Sequence, residues 1–155
     1  MKNFSWVIPQ KLAGSDIPGR FIPGDDAVRN DIETIVSDGV KCLVSLQKPQ
    51  GTVEQICADF NLEWIYFPVT DYGIPDDNVK FDQLISDIIV RLDNSKPVCV
   101  HCYAGIGRTG LVLSCVIGKY FAISGEKAIS AVRKFRPAID TQEQELFVHN
   151  FLETL

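Results

Sequence analysis

The chain has 155 residues, of which 46% are apolar and 23% charged, and a formal net charge of −5. That size and composition describe one globular domain with a substantial core and exclude a disordered segment. The acidic balance disfavours nucleic acid or anionic lipid as a partner, and no apolar run approaches the ~20 residues that cross a bilayer.

The apolar stretch ending at Pro9 is too short for a secretory leader, so the expectation is a cytoplasmic protein with neither membrane nor nucleic-acid partners. Five cysteines without framework-like spacing suit a reducing compartment, and Cys42, Cys57, Cys99 and Cys115 lie in apolar stretches where packing is the default role. The oligomeric state is not legible.

In chain order, Phe4 to Ile8 and Leu12 to Gly14 read as short strands, followed by a turn-rich passage with Pro18, Gly19, Pro23 and Gly24. Asp25 or Asp26 is expected to cap a helix carrying Val28, Ile32, Ile35, Val36 and Gly39 at helical spacing. Lys41 to Leu46 reads as a buried strand, Val53 to Phe60 as a short helix and Leu62 to Phe67 as a strand. After a loop from Pro68 to Pro75, Phe81, Leu84, Ile85, Ile88, Ile89 and Leu92 trace one helical face with Asp76 as the expected cap. Val98 to His101 is the next strand, and Arg108 to Phe121 is helical again. Ser124 is placed to cap a helix through Phe135, and Thr141 to Leu155 forms the last one.

Strands alternating with helices, then helices alone, predict a single α/β domain over residues 1–155. Its mostly parallel sheet would have four to five strands flanked by helices, with an all-helical C-terminal block. The glycine-rich stretch His101-Cys102-Tyr103-Ala104-Gly105-Ile106-Gly107-Arg108-Thr109-Gly110 then falls at the carboxyl edge of a strand, where such sheets bind ligands. A strand end, a curled turn and a helix start gather inward-pointing amides, which suit an oxyanion and favour thiolate over thiol. Arg108 at the helix mouth offers a planar fork for two phosphate oxygens.

His-Cys-x-x-Gly-x-x-Arg-Thr-Gly at positions 101–110 resembles the signature of the cysteine-dependent protein tyrosine and dual-specificity phosphatases, with a chain length like the compact dual-specificity members. The resemblance implies metal-independent, cofactor-free hydrolysis of phosphate monoesters on phosphorylated proteins through a cysteinyl-phosphate intermediate. In that reading Cys102 is the nucleophile, and Arg108 with the loop Tyr103, Ala104, Gly105, Ile106 and Gly107 binds the phosphoryl group. Thr109 resembles the hydroxyl that assists the thiolate, and His101 the histidine that orients the loop.

Asp71, 31 residues before Cys102 in Val69-Thr70-Asp71-Tyr72-Gly73-Ile74-Pro75, resembles the general acid; Asp76 and Asp77 are rivals that also read as helix caps. Tyr72 is placed either to line the pocket mouth or to pack its loop down. Gln144 resembles the water-positioning glutamine of larger tyrosine phosphatases, while Thr141-x-x-Gln144 equally reads as a capping box. Arg133, Lys134 and Arg136 form a basic cluster that fits a second acidic group or a helix C-terminus.

The alternatives are a phosphatase for phosphoinositide or RNA 5′-phosphate, a phosphoprotein-binding module without turnover, or a sulfur-transfer domain. The last has no use for Asp71 or the Arg108-Thr109 pair.

Overall fold

The computed structural model covers residues 1–155. Alternation along each strand decides which helices it meets. The strands are β1 (Ser5–Ile8), β2 (Leu12–Ser15), β3 (Cys42–Ser45), β4 (Glu63–Tyr66) and β5 (Val98–His101). They form one sheet in the order β1-β2-β5-β3-β4, parallel except for the β1–β2 pair. In β3 and β5, Cys42, Val44, Val98 and Val100 enter one core cluster, while Leu43 and Cys99 enter a second on the opposite face. The period of two thus separates two hydrophobic layers, as a doubly covered parallel sheet requires.

Helices α1 (Asp25–Ser37) and α2 (Val53–Asp59) cover the smaller layer, burying Val28, Ile32, Ile35, Val53, Ile56 and Cys57. The larger layer receives α3 (Asn78–Asp93), α4 (Gly107–Phe121), α5 (Gly125–Arg133) and α6 (Gln142–Glu153). Phe81 of α3 packs edge-on against Phe147 and Phe151 of α6, tying the last helix to the middle of the chain. No helix is long and apolar enough to cross a membrane. The expected single α/β architecture with a helical C-terminal block is the one observed.

Two expected caps are corrected. Asp77, in extended conformation, caps α3 by accepting from Val79 and Lys80 N–H, and Asp76 does not. Gly24 stands at the N-cap of α1; Asp25 lies inside its first turn, where its carboxylate instead accepts from the amide and hydroxyl of Thr52. Ser124 and Thr141 cap α5 and α6 as expected. Gly39 falls beyond α1, at φ 107°, a left-handed value that ends helices readily at glycine. The four packing cysteines are buried, and burial pushes the thiols of Cys57 and Cys99 up to about 11 and those of Cys42 and Cys115 up as well.

Candidate active site

β5 delivers Cys102 to the centre of the sheet's carboxyl edge, and the chain turns at once into α4. Five consecutive carbonyls between them are tied from outside. Cys102 O accepts from His101 Nδ1 at 2.8 Å, Tyr103 O from Ile17 N–H at 2.9 Å and Ala104 O from Asn3 Nδ2 at 2.6 Å. Gly105 O accepts from an Arg136 guanidinium N–H at 2.7 Å, and Ile106 O accepts from the amides of Gly110 and Ile139. A peptide whose carbonyl is held outward presents its amide inward. None of the six amide N–H groups from Tyr103 to Arg108 donates to a protein acceptor. Stacked on the positive end of a 15-residue helix, they make a preorganised anion cradle. Gly105 sits at φ 76°, where only glycine is at ease, and an added Cβ would run into the Ser15 carbonyl and lie 2.8 Å from Arg136.

His101 is fully buried, with both ring nitrogens hydrogen-bonded. Trp64 Nε1–H, which can only donate, bonds Ser45 Oγ at 2.8 Å, so the serine proton is directed to His101 Nε2. Nδ1 must then carry the ring proton, and it donates to the Cys102 carbonyl, which can only accept. The direction of the whole chain is fixed at both ends. Burial holds the imidazole pKa down at about 4, partly offset by the Cys102 carbonyl and the Asp16 charge.

Cys102 is 3% exposed. Arg108 opens α4 with its side chain 4% exposed and reaches the neighbouring loop: NH1 donates to Val69 O at 2.9 Å and NH2 to Gln47 Oε1 at 3.0 Å. Asp71 Oδ1 lies 3.1 Å from NH2, with the Asp71 side chain 58% exposed, so the pair is held at one end only. Asp71 Oδ1 also accepts from Tyr72 N–H, and Tyr72 itself is exposed at φ 60°, uncommon for a bulky residue. Thr109 Oγ1 is buried without a hydrogen-bond partner, so that hydroxyl is uncommitted. Tyr103 stands exposed at the rim, while Ala104 and Ile106 are half-buried and Gly107 is buried.

Gln144 performs the capping-box role and something more. Its Oε1 accepts from the amides of Asp140 and Thr141, and its Nε2 donates to Gly73 O at 3.1 Å, two residues beyond Asp71. The basic cluster divides. Lys134 is exposed, Arg133 donates to the Ala138 carbonyl, and Arg136 is buried, donating to Asn3 O, Ser5 Oγ, Gly14 O and Gly105 O. Burial pulls the Arg136 pKa down, against the opposing charges of Cys99, Cys102 and Asp16.

Sequence reasoning did not single out Asn3, Gln47, Ser45 or Trp64, each a lone polar or aromatic residue far from the motif. The one available signal was position: Ser45 and Gln47 fall at the end of a predicted strand, the edge that carries the cradle.

The chain is similar to known proteins in both sequence and fold. Mouse protein tyrosine phosphatase domain-containing protein 1 is 31% identical over 140 residues, covering 80% of this chain and 18% of that protein. Human cyclin-dependent kinase inhibitor 3 is 33% identical over 94 residues, covering 58% of this chain and 43% of that protein. The chain spans less than a quarter of the length of the first set of relatives, the mouse, bovine and zebrafish forms of the former protein. Tk-PTP in its active form superposes with a TM-score of 0.81 at 21% identity, with 99% of each chain covered. Kinase associated phosphatase, carrying serine for its catalytic-site cysteine, gives 0.82 at 23% identity and covers 99% of this chain and 94% of its own. The family model of the Swiss Army Knife proteins' DSP-PTPase phosphatase domain, PTP-SAK, matches residues 1–149, and the chain belongs to that family as a compact dual-specificity phosphatase-like member.

Proposed function

We propose that residues 1–155 act as one catalytic domain that hydrolyses phosphate monoesters on proteins without a metal. Phosphotyrosine is the first substrate, and phosphoserine and phosphothreonine are also accepted. The observation that carries this reading is the row of six uncommitted amides from Tyr103 to Arg108, five of them held inward by tied carbonyls.

A phosphate dianion seated there accepts from the amides and takes the Arg108 fork, displacing Asp71 from NH2. The Cys102 thiolate attacks phosphorus in line; a P–S bond forms, the P–O ester bond breaks, and Asp71 supplies the proton to the leaving oxygen. Water then attacks the cysteinyl phosphate and gives its proton to the Asp71 carboxylate. The P–S bond breaks, the uncommitted Thr109 hydroxyl donates to the departing sulfur, and inorganic phosphate leaves. His101 stays neutral throughout and holds the Cys102 carbonyl. The Gln144 carboxamide, spent on two amides and on Gly73 O, supports a role in holding the Asp71 loop rather than in addressing water.

The fold alone does not choose the substrate: PTPMT1, which shares it at 14% identity, has been solved in complex with PI(5)P. The absence of lysine among Tyr103, Ala104 and Ile106, together with the net charge of −5, favours a protein over a polyanionic headgroup. Two relatives, cyclin-dependent kinase inhibitor 3 and kinase associated phosphatase, point the same way by their names.

The test is turnover of a chromogenic aryl phosphate with EDTA, with vanadate, and in Cys102→Ser, beside panels of phosphotyrosine, phosphothreonine and phosphoinositide substrates. Expected are EDTA-insensitive turnover blocked by vanadate, its loss in the variant, and preference for phosphotyrosine peptide. Activity that survives Cys102→Ser, or that EDTA removes, would falsify the mechanism; preference for phosphoinositide would overturn the substrate.

A further inference from the structure

Between β2 and α1 the chain passes along the rim of the cradle, and its side chains stack there. The Arg20 guanidinium lies 5.2 Å from the centroid of the Tyr103 ring and 4.8 Å from that of Phe21, and Lys2 Nζ lies 4.7 Å from Phe21. Tyr103 directly follows Cys102, so this aromatic and cationic ladder begins at the cradle and runs outward. Phe21 is 50% exposed, Tyr103 45%, and Ile22 beyond them 67%.

Arg20 is fixed in place with its hydrogen-bonding capacity unspent. Its guanidinium donates no hydrogen bond; the carboxylate beside it, Asp16, stands 3.6 Å away. That carboxylate is fully buried and takes its hydrogen bonds from the amides of Lys2 and Asn3. Asp16 therefore anchors the cation by charge, and the two rings restrain its plane. An arginine so held loses little freedom on meeting a planar carboxylate, which its fork matches.

We infer that this ladder is a recognition lip for phosphopeptides that carry Asp or Glu beside the phosphorylated residue. Arg20 takes the flanking carboxylate, Phe21 and Tyr103 pack on apolar peptide surface, and Lys2 adds charge at the outer end. Complementarity selects the occupant: a basic flank would meet Arg20 and Lys2 as like charges. The inference rests on the protein-substrate reading above.

The experiment compares kcat/KM for phosphotyrosine peptides that differ only in Glu, Gln or Lys flanks, with para-nitrophenyl phosphate as the flankless reference. The expected order is Glu over Gln by about tenfold, the effect of one partly exposed charge-assisted contact, and the preference shrinks as salt rises. Arg20→Lys keeps a charge beside Asp16 but loses the fork, and Phe21→Ala loosens the stack without touching Asp16. Both should reduce the preference to about two- to threefold with aryl phosphate turnover unchanged. Equal rates on Glu and Gln peptides, or an undiminished preference in both variants, overturn the lip and leave the phosphatase reading standing. Failure to hydrolyse any peptide while the aryl phosphate turns over overturns the protein-substrate reading and the lip with it.

Discussion

The loop from Cys102 to Gly107 and the loop from Pro68 to Pro75 meet at one guanidinium but are held by opposite means. In the first, every carbonyl from Cys102 to Ile106 is tied by a donor outside the loop, and those donors come from the N-terminal segment, β5, the loop after β2, α4 and the α5–α6 connection. In the second, Asp71 and Tyr72 stand mostly in solvent, and the ties from outside are Val69 N–H on Leu46 O, Arg108 on Val69 O and Gln144 on Gly73 O. The tied carbonyls fix the amides of the first loop without any ligand, which is what transition-state stabilisation would require of it in the proposed reaction. The Asp71 loop is held by one backbone hydrogen bond and two side chains, and in the proposed reaction an entering phosphate competes for one of them. In the proposed reaction, rigidity is thus placed where charge is to be met, and freedom where a proton is to be delivered and taken back.

The sharpest way to break this contrast is to soften the rigid half. Gly105→Ala forces a methyl into the Ser15 carbonyl at a left-handed φ, so the loop must reshape and its amides turn away. Vanadate affinity and aryl phosphatase kcat/KM should fall together, by about a thousandfold, since single oxyanion donors already contribute 10²–10³. Unchanged vanadate affinity, measured by inhibition, would show that the amides do not bind the anion.

Disabling the looser half should spare anion binding. Asp71→Asn is expected to leave vanadate affinity within about threefold while lowering kcat about a hundredfold for phenyl phosphate, the lower end for general acid catalysis. The deficit should shrink with a leaving group that needs no proton. Gln144→Met should imitate it weakly, about tenfold and again graded by leaving group, the worth of one hydrogen bond. A Gln144 defect independent of the leaving group, with a burst of released alcohol, would assign that residue to water instead.

What the sequence made legible follows the same division. The cradle is contiguous, so its thiol, glycines and arginine announce themselves in ten residues, and the sheet and helices follow from uninterrupted apolar periods. The clamps do not. Asn3 lies 101 residues from Ala104, and Gln47 lies 61 from Arg108, and nothing local marks either as part of a site. Asp76 and Asp77 look alike in the sequence; the cap is the one whose backbone is still extended, at φ −125°, when the helix begins. Gln144 could be read as cap or as catalytic helper from its spacing, and only three-dimensional placement brings its amide to Gly73.

His101 tests the rigid half by pH rather than by mutation. Its folded pKa is held down at about 4 by burial, against an unfolded value near ~6.5. Above ~6.5 both states are neutral and the imidazole contributes nothing to pH dependence. As pH falls from there, the unfolded chain binds a proton that the folded one refuses, so stability drops, by about 3 kcal/mol at most on reaching pH 4. Urea melts at pH 7, 6, 5 and 4.5 should show this decline, and Ser45→Ala should alter it by removing the donor to Nε2. The chain has only two histidines, so nitrogen NMR can follow His101 directly. Between pH 5 and 7 it should remain the neutral tautomer with its proton on Nδ1, because Trp64 drives the serine proton one way and the Cys102 carbonyl draws the ring proton the other. A proton on Nε2 would reverse that chain, leave the Cys102 carbonyl untied, and remove one of the five ties that turn the cradle inward.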